Sequence, residues 1–167
     1  MEVFVVSLLN GLVYGMLLFM LASGLTLIFS MMGVLNFAHA SVYMLGAYFA
    51  YTISLYVGFW PALILAPLLC GLIGAAIEMW GLRRVHRHGH VAELLLTFGL
   101  ALVIEKVVQM TWGLLPVPYR IPELLDFPLF RVYGTQFPAY RAFMLLISAL
   151  MFGAIWLGLT RTRVGLV

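Results

Sequence analysis

The feature that most constrains this chain is the absence of Asp, Glu, Lys and Arg between Val3 and Ile77. A water-soluble domain of this length needs charged side chains on its surface, whereas one helical crossing of a bilayer needs about 20 apolar residues. The charge-free run is long enough for about three crossings. The whole chain agrees, with 65% hydrophobic and 9% charged residues. The chain is therefore predicted to fold within a membrane.

Five apolar segments remain when the chain is divided at its Gly-, Pro- and Arg-rich breaks. At a rise of about 1.5 Å per residue they match a hydrocarbon core of about 30 Å. The alternating strands of about ten residues that a membrane barrel requires are not seen. We predict an all-α, polytopic integral membrane helical bundle in a single transmembrane domain over residues 1–167, with about five transmembrane helices. These helices are predicted at 5–30, 40–57, 61–81, 92–112 and 139–160.

Arginine placement predicts the orientation of these helices, because cytoplasmic segments of membrane proteins are enriched in Lys and Arg. A basic loop at 82–91 and a second basic end are therefore expected in the cytoplasm, where the loop would contact anionic lipid head groups. The Pro-rich loop at 113–138 and the N-terminus are then expected outside, unless residues 33–41 are re-entrant. The net charge of +3 is interpreted as this topology signal, and nucleic acid is not expected as a partner. The topology residues are Arg83, Arg84, Arg87, Arg161 and Arg163.

The other polar residues in and beside the basic loop are interpreted as surface residues. Glu78 and Glu93 flank the loop and are expected to pair with its arginines or to favour a helix N-terminus. Its histidines lack a carboxylate or cysteine partner within the loop, and Cys70 is the single cysteine of the chain. No metal site, disulfide or cofactor is predicted.

Seven short motifs follow one another along the chain. They are GLTLIF at 24–29, GVLNFAH at 33–39, YMLGAY at 43–48, LTFGL at 96–100, WG at 112–113, YRAF at 140–143 and RTRVG at 161–165. This ordered series resembles the branched-chain amino acid ABC transporter permease family, and the resemblance covers nearly all of the chain.

The resemblance implies a multi-pass permease subunit of an importer in the bacterial inner membrane. It implies as partners a second permease subunit, two cytoplasmic ATPase subunits and an external solute-binding protein, besides the lipid bilayer. The expected substrate is a branched-chain or other apolar amino acid. No Gly-x-x-x-x-Gly-Lys-Ser/Thr loop is seen, so ATP is expected to be hydrolysed by a partner and this chain is not expected to be an enzyme.

Several alternatives stay open. Urea and short amides are carried by close relatives of the family. Family members continue through further spans after the motif at 161–165, so this chain corresponds to the N-terminal part: a fragment, a truncated product or a split subunit. A truncated subunit without coupling would serve only in assembly. An intramembrane enzyme using His39 with Glu78 or Glu105 as acid and base is the least favoured alternative.

The break between the first two spans supplies three candidate pathway residues, Asn36, His39 and Tyr43. Asn36 is expected to cap a new helix through its side-chain oxygen. In one interpretation the helix is interrupted inside the membrane, and the amides after Asn36 help hold a substrate carboxylate with His39 and Tyr43 nearby. In the other, these residues form a turn at the cytoplasmic interface that satisfies helix ends.

The fourth predicted span contains an ionisable pair, Glu105 and Lys106. Ionisable residues at membrane depth are costly and are functional candidates by default. Lys106 can instead extend to the interface, and Glu105 shares a helix face with Gln109. Glu105 is therefore either an interface anchor or a pathway residue, and Thr97 is a pathway candidate by resemblance. Close helix packing is predicted at the small residues Gly11, Gly15, Gly46, Ala50 and Gly99.

Overall fold

The computed structural model describes residues 2–33, 35–132 and 135–161. Within these ranges, five long α-helices lie where the sequence predicts five apolar segments. They are α1 (Glu2–Met32), α2 (Ala38–Val57), α3 (Phe59–Ala76), α5 (His90–Trp112) and α6 (Ala139–Arg161), with a short helix α4 (Arg83–Val85) between α3 and α5.

Four helical segments of the described chain are long and apolar enough to cross a membrane. α5 is not among them, and it carries Glu93, Glu105 and Lys106. The prediction of a polytopic helical membrane protein is therefore confirmed, with four such helices where the sequence predicts about five. The four segments are Phe4–Ser30, Ala38–Val57, Phe59–His88 and Ala139–Gly158.

A single residue, Gly58, connects α2 to α3. Its φ angle of 88° lies in the left-handed region, which glycine adopts without the steric cost that a Cβ atom brings. The Gly58 N–H donates to the carbonyl of Ser54 at 3.1 Å and so ends α2. Because the connection is this short, α2 and α3 pack against each other as consecutive helices.

The basic segment predicted as a loop at 82–91 is mostly helical, which corrects that prediction. α3 continues as a π-helical segment (Ile77–Leu82), then as α4, and then as a 3₁₀ turn (His86–His88). The helix ends at Gly89, where φ is 89°. Glycine and polar residues around the arginines indicated a loop, but nothing in this stretch other than Gly89 breaks helical geometry.

The Pro-rich segment predicted as a loop at 113–138 contains regular structure, a second correction. After a 3₁₀ turn (Glu123–Leu125), the antiparallel strands β1 (Pro128–Val132) and β2 (Thr135–Pro138) pair, with an irregularity between Pro128 and Phe130. Pro128 begins β1 and Pro138 ends β2, and a missing N–H donor is tolerated at the end of a strand. The Ala139 N–H donates to the carbonyl of Phe127 at 2.9 Å, which attaches the start of α6 to this segment.

The chain divides into two compact units, where the sequence predicts one domain. The first comprises Met1–Ser23 with Arg120–Val167, and the second comprises Gly24–Tyr119, so the boundary falls within α1. In the first unit, the rings of Phe19 and Phe152 meet edge to face at 5.3 Å. In the second unit, α2 packs against α3 and α5. Its core consists of Leu45, Ile104 and Val108, surrounded by Val42, Met44, Tyr48, Phe49, Ile73, Leu100 and Trp112.

Large apolar side chains are exposed along all the long helices. Leu18 on α1, Ile64 on α3 and Leu150 on α6 each expose 60% or more of their surface. Exposure of so many large apolar side chains is typical of a membrane or protein interaction face. In a chain with four membrane-spanning segments, lipid and partner helices are the surroundings that this surface fits.

Candidate functional site

A groove of about 370 Å³ lies between α2 and α5 in the second unit. Its volume is within the range of about 300 to 1,000 Å³ that is usual for small-molecule sites. The α2 side contributes small and hydroxylated residues, and the α5 side contributes a carboxylate and an amide. The residues that line the groove are Ala40, Ser41, Met44, Tyr48, Glu105, Val108, Gln109, Gly113 and Leu114.

The polar side of the groove is a short hydrogen-bonded chain along α5. Gln109 Nε2 donates to Glu105 Oε1 at 2.9 Å, and Lys106 Nζ donates to Gln109 Oε1 at 2.9 Å. Glu105 and Gln109 are four residues apart and so share a helix face. The Gln109 amide thus holds the Glu105 carboxylate through its nitrogen and accepts a hydrogen bond from Lys106 on its oxygen.

Aromatic residues hold one end of the groove together. The rings of Tyr48 and Trp112 lie 5.1 Å apart, and the Trp112 indole N–H donates to Thr52 Oγ1 at 2.9 Å. Thr52 Oγ1 in turn donates to the carbonyl of Tyr48 at 2.9 Å. Since Tyr48 lines the groove, these contacts fix one groove wall to the last turn of α5.

The turn before α2 is held by local contacts. The Ala38 N–H donates to Asn36 Oδ1 at 3.0 Å, as in a side-chain cap. Phe37 meets Phe98 of α5 edge to face, with ring centroids 6.5 Å apart. The His39 ring lies against the backbone of Gly24 in α1. Asn36 and His39 therefore both have partners within the fold.

A buried carboxylate, Glu93, lies in the first turn of α5. Only 1% of its side chain is exposed, and its two oxygens contact His86 Nδ1 and His90 Nδ1, the latter at 3.3 Å. A carboxylate is also favoured at this end by the helix dipole. Glu93 was expected at the surface, either paired with arginines or at a helix N-terminus. It does lie in the first turn of a helix, but the surface position and the arginine partners are wrong: it is buried, with histidines as partners. Glu78 does contact an arginine, Arg83, at 3.4 Å, and both are exposed.

An arginine and an asparagine join α1 to α6 within the first unit. Arg141 Nη1 donates to Asn10 Oδ1. The sequence analysis used Arg141 only as part of a motif and did not single out Asn10. An Asn inside a charge-free apolar helix is the signal that indicates such a partner, because an unpaired amide is costly in lipid.

A profile of the family described as "branched-chain amino acid transport system / permease component" matches residues 7–167. The chain belongs to this permease family. The match confirms the family indicated by the ordered motifs, and it extends over nearly the whole sequence.

Curated relatives of this permease share only about a quarter of its residues in the aligned regions. The permease protein BraD of Pseudomonas aeruginosa, named for high-affinity branched-chain amino acid transport, is 24% identical over 95% of this chain and 56% of its own length. The similarly named LivH of Salmonella typhimurium is 27% identical over 66% of this chain and 39% of its own length. LivH of Escherichia coli K12 is 26% identical with the same coverage. The permease thus spans about half or less of the relatives it matches. No solved structure matches it.

The structure of the permease does not gather the five predicted pathway residues at one place. Of the five, Glu105 is the residue that lines the groove. Thr97 is fully buried in α5, about two turns and about 12 Å along the axis before Glu105. Asn36 and His39 lie at the start of α2, and Tyr43 on the same helix is 49% exposed.

The residues predicted for close helix packing differ in how closely a neighbouring helix approaches them. A Cβ atom on Gly46 would lie 3.0 Å from Cys70 Sγ of α3, so two helices approach closely there. A Cβ atom on Gly11, Gly15 or Gly99 would meet no neighbouring atom within 4 Å in the described chain. Ala50 is half-buried on α2.

The predicted topology residues that the structure describes are on the surface. Arg83, Arg84, Arg87 and Arg161 are exposed, and Arg163 lies outside the described residues. Within the described ranges, no group of three or more His, Cys, Asp or Glu side chains is placed to hold a metal ion.

Proposed function

We propose that this permease is a membrane-spanning subunit of an ABC importer that moves branched-chain or other apolar amino acids across the bacterial inner membrane. The observation that carries the proposal is the family match over residues 7–167. The relatives' printed names, which specify branched-chain amino acid transport, support the substrate class. Four apolar helices long enough to cross a bilayer support a role within the membrane.

In this proposal the chain supplies helices and a substrate surface, and other subunits supply energy and capture. A second permease subunit would complete the pathway, two cytoplasmic ATPases would hydrolyse ATP, and an external solute-binding protein would deliver the substrate. The exposed arginines Arg83, Arg84 and Arg87 support a cytoplasmic position for the segment at 82–91. With α5 as a further crossing, the hairpin β1–β2 would lie outside, facing the solute-binding protein.

Among the candidate residues we propose Glu105 as a pathway residue, because it is the candidate that lines a groove of ligand size. Asn36 and His39 are proposed as structural residues, because the first caps α2 and the second packs on Gly24. Asn36→Ala tests this division. A structural role predicts lower abundance in the membrane with unchanged substrate affinity, and a substrate contact predicts changed affinity at normal abundance.

Affinity purification of the tagged protein from its native membrane tests the proposed assembly. We expect mass spectrometry to identify an ATPase, a second permease and a solute-binding protein in the purified material. Recovery without any ATPase would contradict the proposal. If the assembly is recovered but cells take up urea and not leucine in its presence, the urea and short-amide alternative is favoured.

A further inference from the structure

The groove between α2 and α5 has one formally charged group in its lining, the Glu105 carboxylate. The other polar side chains of the lining are the hydroxyls of Ser41 and Tyr48 and the amide of Gln109, and no Lys, Arg or His is among the lining residues. Lys106 lies outside the lining and its Nζ donates to Gln109 Oε1, so the Glu105 carboxylate is the charged group that faces the groove itself. A cationic group is the ligand chemistry that complements it.

The carboxylate is positioned before any ligand binds. The hydrogen bond from Gln109 Nε2 is made to Glu105 Oε1, and no hydrogen bond from the described residues occupies Oε2. Gln109 itself is held by Lys106 Nζ on its carbonyl oxygen. A positioned carboxylate binds an ammonium group through short, charge-assisted hydrogen bonds, which are about twice as strong as those between neutral groups.

The remaining lining suits a hydrocarbon group next to that ammonium. Met44, Val108 and Leu114 contribute apolar surface, and Val108 is also part of the buried core. The volume of about 370 Å³ is sufficient for a small molecule. The groove thus combines one anionic point with an apolar wall.

We propose that this groove binds the α-ammonium group of an apolar amino acid on Glu105, with the hydrocarbon side chain of the amino acid against Met44 and Val108. The inference rests on the proposed transport function and adds to it the site and the group recognised. It also gives a physical reason for discrimination: a neutral molecule such as urea can donate a hydrogen bond to the carboxylate but forms no ion pair with it.

Ligand binding to the purified full chain in lipid nanodiscs tests the proposal. Trp112 is a natural fluorescent reporter because its ring contacts Tyr48 of the groove. The other three tryptophans, Trp60, Trp80 and Trp156, are changed to Phe so that Trp112 emits alone. The probes are leucine, 3-methylbutylamine, which lacks the carboxylate, 4-methylpentanoate, which lacks the ammonium, and urea.

We expect leucine and 3-methylbutylamine to change Trp112 fluorescence saturably, and 4-methylpentanoate and urea to leave it unchanged. Glu105→Gln keeps the size of the side chain and should weaken binding of both amines about tenfold or more. Ala40→Leu fills the groove without altering the carboxylate and should abolish binding. Glu123→Gln, which removes an exposed carboxylate outside the groove, is the matched control and should bind like the parent chain.

Three results would overturn the inference: equal binding by Glu105→Gln, binding of 4-methylpentanoate as tight as that of leucine, or no binding of either amine by the parent chain. The inference can also fail while the proposed function holds. If intact cells take up leucine through the assembly and Glu105→Gln leaves that uptake unchanged, the protein transports amino acids and the groove is not their site.

Discussion

The His39 ring lies directly against the backbone of Gly24, with Nε2 only 2.8 Å from the position that a Cβ atom on Gly24 would occupy. This contact brings the last part of α1 onto the start of α2 within one compact unit. Gly24 provides the space that the imidazole fills. A histidine that looks like a pathway residue in the sequence thus has a packing role in the fold.

Gly24→Val is expected to destabilise the protein, because the new side chain must displace the His39 ring. Overpacking of this kind costs about 1 to 3 kcal/mol. Gly11→Val on the same helix is the matched control, because no atom of the residues that the structure describes lies within 4 Å of a Cβ atom there. Thermal unfolding in detergent should give a lower melting temperature for Gly24→Val than for Gly11→Val, and His39→Ala should remove the difference. Equal melting temperatures would show that the contact does not constrain the helices.

Glu93→Ala is expected to lower the free energy of unfolding by about 2 kcal/mol, because it removes the acceptor of two histidine contacts at a buried position. Glu78→Ala is the control, since the Glu78–Arg83 pair is exposed and such pairs contribute at most about 1 kcal/mol. Abundance in the membrane and melting temperature measure both effects. A loss for Glu78→Ala as large as that for Glu93→Ala would contradict the distinction between buried and exposed pairs.

Gly46→Cys is expected to form a disulfide with Cys70 under mild oxidation. The Cβ position on Gly46 lies 3.0 Å from Cys70 Sγ, a separation that a disulfide between α2 and α3 can satisfy with small adjustment. Loss of reaction with a thiol reagent, reversed by a reductant, measures the bond. Gly74→Cys has no neighbouring atom within 4 Å of its Cβ position and should keep both thiols reactive. Free thiols in oxidised Gly46→Cys would contradict the packing of α2 on α3.

Trp112→Phe should lower the free energy of unfolding by about 1 kcal/mol, since Phe cannot donate the hydrogen bond that the indole makes to Thr52. Thr52→Val removes the same bond from the other side. Because each change eliminates one shared interaction, the double variant should be less destabilised than the sum of the two single variants. Strictly additive losses would show that the bond contributes nothing. Trp80→Phe, at a position 68% exposed, serves as the control.

The lengths of the apolar segments and the placement of charge predict the helices of this protein well, because lipid demands long apolar segments and the breaks between them are marked by Gly, Pro and Arg. The predicted helix at 139–160 and α6 agree within one residue at each end. Gly89, in contrast, is one glycine among many in the sequence. Composition alone does not indicate that the segment before Gly89 stays helical up to that glycine.

Contacts between individual residues were harder to predict from the sequence than the helices. Glu93 looks like an ordinary loop-flanking carboxylate until the fold buries it beneath His86 and His90. Strand pairing in the Pro-rich segment depends on contacts between residues that no helical period relates. Glu105 was identified because an ionisable residue in an apolar helix is unusual in itself, whereas the groove that it lines requires α2 beside α5.

Uptake of radiolabelled leucine by cells of the native organism tests the central claim most directly. Deletion of the gene should abolish the high-affinity component of uptake, and the wild-type gene supplied in trans should restore it. Excess unlabelled isoleucine or valine should compete, and excess urea should not. The wild-type strain must first be shown to contain the chain in its membrane. Equal leucine uptake by that strain and by the deletion strain would contradict the proposal that this permease carries branched-chain amino acids.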